Sequence, residues 1–131
     1  MKSRVITLVG FLVLSSVNAI AGDGHDHAKA ENGGQIEKIG SYEGELVVKG
    51  GELALFVRDE KDKVVDVASM SAVAVVLVKG NEQKTVELKP AGANKMTGMI
   101  DFPVDGKLRA TVSLKAGAVS LGKARYTLDV K

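Results

Sequence analysis

From Gly34 onward, apolar and polar residues alternate in short runs separated by turn residues. In "YEGELVVK" a period of two puts Tyr42, Gly44, Leu46 and Val48 on one face and Glu43, Glu45 and Lys49 on the other. Gly50-Gly51 reads as a two-residue hairpin, after which Leu53, Leu55 and Val57 share a face. Asp59 to Lys63, "DEKDK", is a charged turn, and "VVDV" a short strand or strand edge. "SAVAVVLVK" is nearly all apolar and rich in β-branched residues, which predicts a strand at the centre of a sheet. Gly80-Asn81 turns the chain, "KTVELK" alternates again, and Pro90 ends it. "PAGAN" is a loop, "KMTGMIDF" a strand with a weak point at Gly98, and Pro103 with Asp105-Gly106 the next turn. Two long alternating runs follow, with Leu108, Ala110, Val112 and Leu114 and then Ala124, Tyr126, Leu128 and Val130 as their apolar faces.

Seven to nine strands without a helix predict an all-β fold, an antiparallel β-sandwich of immunoglobulin-like arrangement, with a small closed barrel as the alternative. The chain lacks Trp and Cys, so the expectation concerns architecture alone. Without disulfides, stability rests on packing, which a domain of this size can supply.

Upstream of the strands the composition changes twice. Lys2 and Arg4 precede the apolar run "VITLVGFLVLSSV", and "NAIA" offers small residues at Ala19 and Ala21. That order is a secretory signal over residues 1–21, cleaved near Ala21, and it predicts a periplasmic protein with no membrane span once mature. Residues 22–34 read as a flexible tail and 35–131 as the β domain. The leader also skews the charge. The chain has 18 Lys+Arg and 16 Asp+Glu, and setting aside Lys2 and Arg4 leaves 16 against 16. No net basic field remains to favour nucleic acid.

The β domain contains neither His nor Cys, so its serines lack the usual base of a nucleophilic triad. A carboxylate pair such as Asp59 with Asp62 sits in a Lys-rich turn and reads as solvated charge. These features predict a protein that is not an enzyme. Both histidines, His25 and His27, stand in the tail "AGDGHDHAKAENGG". Two residues apart in an extended segment, they point the same way and are candidate ligands for one ion, with Asp23 and Asp26 as oxygen donors. Imidazole suits Cu(II), Zn(II) and Ni(II). Two imidazoles fall short of the four protein ligands of a structural zinc site, so the expectation is weak capture. Cleavage after Gly22 would leave Asp23-Gly24-His25 at the amino terminus, a square-planar set for Cu(II). Met96 shares a face with Gly98 and Ile100 and reads as core.

The run "GHDH…NGGQIEKIGSYEGELVVKGGELALFVRDEKDKVVDV" resembles the small amino-terminal β-sandwich of periplasmic adaptor subunits of heavy-metal efflux pumps, and small stand-alone exported proteins of that type. The likeness runs through Gly33-Gly34, Tyr42, Glu45-Leu46, Leu55-Phe56-Val57, Asp59 to Val65, and the Pro-Ala-Gly loop within Leu88 to Gly98. Asn32 stands where the pattern has His, and Asp62-Lys63-Val64 where it has Gly-Lys-Pro. The resemblance implies a heavy-metal or copper homeostasis accessory with a periplasmic efflux-system component as its partner. The resemblance implies a free-standing module, since the long helices and lipoyl-like segment of a complete adaptor are not found in this sequence. The alternative is an exported interaction module with no metal role, its edge strands open to strand addition.

Overall fold

A computed structural model describes residues 30–78, 82–104 and 106–130. They form eight strands: β1 (Gln35–Ile39), β2 (Tyr42–Lys49), β3 (Glu52–Arg58), β4 (Met70–Val78), β5 (Glu82–Pro90), β6 (Lys95–Met99), β7 (Gly106–Ala116) and β8 (Val119–Val130). Every ladder is antiparallel, in the order β1-β2-β3-β6-β5-β4-β7-β8. The fold is all-β, as the alternation predicts. Two four-strand halves meet at a narrow corner, where β5 and β6 share only Lys89↔Thr97 and Pro90↔Met96. The ladder then curls until β1 lies alongside β8, giving a nearly closed barrel.

One side of each strand fills the barrel. Leu46, Leu53, Leu55, Val76, Leu88, Met96, Leu108, Val112 and Leu114 are buried almost completely. Each such aliphatic contributes about 1.5–3 kcal/mol relative to an exposed position. β4 lies between β5 and β7, as its apolar run predicts, but only Ala72, Ala74, Val76 and Val78 face the core. Its other face, Val73, Val75 and Leu77, is half-buried. The expected "VVDV" strand reduces to a single bridge, Val64 with Arg58, and Val67 turns in to plug the core. The turn at Gly80-Asn81 lies outside the described residues.

β1 breaks the apolar pattern for a reason visible at the seam. Its register with β2 puts Gln35, Glu37 and Ile39 on the core side, two of the three polar. Gln35 donates to Glu37 (2.7 Å) and accepts from the Thr127 amide of β8 (2.8 Å). Gln35 thereby bridges strands that no backbone ladder joins among the described residues. Tyr126 reaches across from β8, its buried hydroxyl donating to the Gly44 carbonyl at 2.7 Å. Burial, with the nearby Glu37 charge, pushes the Tyr126 phenol well above its ordinary range. At the far end of the seam, Gly40 and Gly122 meet backbone to backbone: a Cβ on Gly122 would lie 2.5 Å from Gly40 N. The two terminal edges therefore meet at Gln35–Thr127 and at Gly40–Gly122.

Candidate functional site

The predicted ligands His25, His27, Asp23 and Asp26 lie outside the described residues, as does the predicted signal over residues 1–21. What the structure describes is how the chain just downstream is fastened to the barrel. Glu45 belongs to the polar face of β2, yet it is 7% exposed, the one buried charged residue among those described. The stretch Asn32 to Gly34 covers it. One carboxylate oxygen, Oε2, accepts from the backbone amides of Asn32 and Gly34, both at 2.9 Å. The other, Oε1, accepts from the Asn32 side-chain amide at 3.0 Å. Three donors thus converge on one carboxylate, and hydrogen bonds to an ionised acceptor are worth about 1.5–3 kcal/mol each. Gly34 lies so close to β2 that a Cβ there would sit 2.2 Å from the Leu46 carbonyl oxygen. The glycine of Asn-Gly-Gly is what lets the amide reach Glu45.

A second fastening lies one residue upstream. Arg58, at the end of β3, pairs with the Glu31 carboxylate and, at 2.9 Å, with Asp62. Hydrogen bonds donated to these two acids, Asp62 first, hold the guanidinium more firmly protonated than usual. Both acids are exposed, so each pair contributes about 0–1 kcal/mol. Asp62 carries a positive φ of 64°, the position where the resembled turn has glycine. Asp59 organises the rest of the turn. Its Oδ1 accepts from the amides of Lys61 (2.8 Å) and Lys63 (3.0 Å), and its own amide donates to the Lys63 carbonyl (2.8 Å). The Lys63 amide is the main reason its carboxyl is held below the usual range. Asp59 and Asp62 are thus occupied separately, one by loop amides and one by Arg58, and do not form a paired carboxylate site.

The segment Glu31–Gly34 is therefore fixed against β2 and β3, and the histidines lie four and six residues upstream of Glu31. Among the described residues no group of three His, Cys, Asp or Glu side chains is placed to hold an ion. No helix among them is long and apolar enough to cross a membrane. Sequence reasoning missed Glu45 and Arg58, because alternation assigns both to the polar face and nothing local announces partners 11 to 27 residues away. Comparison with known proteins found no family model, no curated protein and no solved structure that matches the chain.

Proposed function

We propose that this chain is an exported periplasmic accessory of heavy-metal or copper homeostasis, in which the barrel is a rigid mount and the segment before it captures a divalent ion. His25 and His27 are the principal ligands, with Asp23 or Asp26 supplying oxygen. The observation that carries this reading is the Glu45 clamp. A buried carboxylate takes three hydrogen bonds from Asn32 and Gly34, which fixes where the upstream segment leaves the barrel. Tethering the root lowers the entropy the segment loses when an ion gathers its ligands. Neutral imidazoles bind near pH 7, and capture fades below about pH 6 as the rings protonate. A periplasmic efflux component that takes up the ion is the partner this role implies.

Calorimetric titration of the mature protein with Cu(II), Zn(II) and Ni(II) tests the reading. Binding of one ion by the wild type, abolished in a His25→Ala/His27→Ala form, is the expected result. Equal binding by both forms refutes it. The alternative, an interaction module without a metal role, draws support from one outer face of the barrel.

A further inference from the structure

The charge of the chain after its leader is balanced overall but unevenly placed. From Gly106 to Val130 there are five cations and a single carboxylate, Asp129. β7 and β8 pair along their length, and their outward residues form a regular grid with β4. Leu77, Arg109 and Thr127 make one row, Val75, Thr111 and Arg125 the next, and Val73, Ser113 and Lys123 the third. Lys107 sits opposite Asp129. Arg109, Arg125 and Lys123 have no carboxylate within ion-pair distance among the described residues. A shallow groove of about 330 Å³ runs over this face, floored by Val75, Leu77 and the β7–β8 backbone and rimmed by Arg109 and Arg125.

We propose that this face docks an extended protein segment that turns aliphatic side chains and flanking carboxylates toward it together. The charge specifies the acid. Each guanidinium presents a fork that matches a carboxylate, and the diagonal placement of Arg109 and Arg125 offers two such forks on one line. The half-buried stripe Val73, Val75 and Leu77 specifies the aliphatic part. Its members recur every second residue, a spacing of about 6.8 Å, which an extended peptide laid along β4 reproduces. No aromatic side chain projects from the grid, so a nucleic acid would find phosphate contacts without a stacking platform. The face lies on β4, β7 and β8, whereas the clamp lies on β2 and β3, so this docking role is independent of metal capture.

Fluorescence anisotropy with the labelled peptide acetyl-Glu-Ser-Val-Ser-Leu-Ser-Glu-amide, whose Glu, Val and Leu share one face when extended, tests the proposal on the full mature protein. The expected results are saturable binding weakened at least tenfold in Arg109→Gln/Arg125→Gln and severalfold in Val75→Thr, with affinity falling as salt rises. All three substituted residues face outward, and unchanged thermal melting shows that the fold persists. Four outcomes overturn the proposal: no binding, equal binding by the double variant, equal binding of the matching peptide with Lys in place of Glu, or tighter binding of a single-stranded oligonucleotide. Salt-sensitive self-association in sedimentation velocity, lost in the double variant, also overturns it, because the occupant would then be a second copy.

Discussion

Replacing Glu45 tests whether the buried carboxylate fixes the root of the amino-terminal segment. In Glu45→Ala, the amides of Asn32 and Gly34 and the Asn32 side chain lose their common acceptor. Leaving a buried donor unpaired costs about 1–3 kcal/mol. Here Asn32 is exposed and Gly34 partly so, and water re-pairs part of what is freed. A net loss of about 2–3 kcal/mol follows. Glu45→Gln behaves differently. Its amide oxygen can still take both backbone amides, and its NH₂ can donate to Asn32 once that side chain rotates to present oxygen. Only the charge assistance is lost, about 1 kcal/mol. At about 4–8 °C per kcal/mol for a domain near this size, the Ala form melts at least 8 °C below wild type, and the Gln form falls between. Urea denaturation followed by circular dichroism measures the free energies, and amide exchange at Asn32 and Gly34 locates them. A Glu45→Ala protein within about 0.5 kcal/mol of wild type, or one whose Asn32 and Gly34 amides exchange no faster, would refute the reasoning.

Tyr126→Phe removes the hydroxyl that spans the seam to Gly44, and a loss of about 1–2 kcal/mol in urea denaturation is expected. Gly122→Ala drives a methyl into the Gly40 backbone and is expected to cost about 2–3 kcal/mol, whereas Gly50→Ala, with nothing within 4 Å, costs only the left-handed φ, about 1 kcal/mol. Asp59 titrates below the ordinary 3.8 because loop amides favour its charged form. Its stabilisation of the turn is therefore complete above that ordinary value and is lost as pH falls through the depressed folded value. Carboxyl NMR titration should place its midpoint below that of free aspartate, and Asp59→Asn should abolish the change in Lys63 amide exchange over the same range.

The strands that alternate cleanly were legible in the residues because their two faces meet different media. β7 and β8 run between a filled core and water, so Leu108 to Leu114 and Ala124 to Leu128 announce themselves. β4 was legible for the opposite reason, since Val73, Val75 and Leu77 stay apolar on the outer side as well. β1 was not legible. Gln35 and Glu37 face inward, Gln35 bridging the seam to Thr127 and Glu37 holding its amide, and polar residues on the core side erase the period-two signal. The clamp escaped notice for a related reason. Glu45 obeys the alternation, and its burial arises from a covering segment that arrives from elsewhere in the chain. Val64 carried a strand-like neighbourhood into what is a loop, 65% exposed, because β-propensity reports side-chain preference and not pairing.

The central claim, that a segment mounted on the Glu45 clamp captures metal through His25 and His27, is tested most directly by amide NMR of the mature protein with substoichiometric Cu(II). The account predicts paramagnetic broadening centred on residues 23–27, fading through Asn32 and Gly34, and absent from β4, β7 and β8. Broadening centred within the barrel, or none at all, would contradict it.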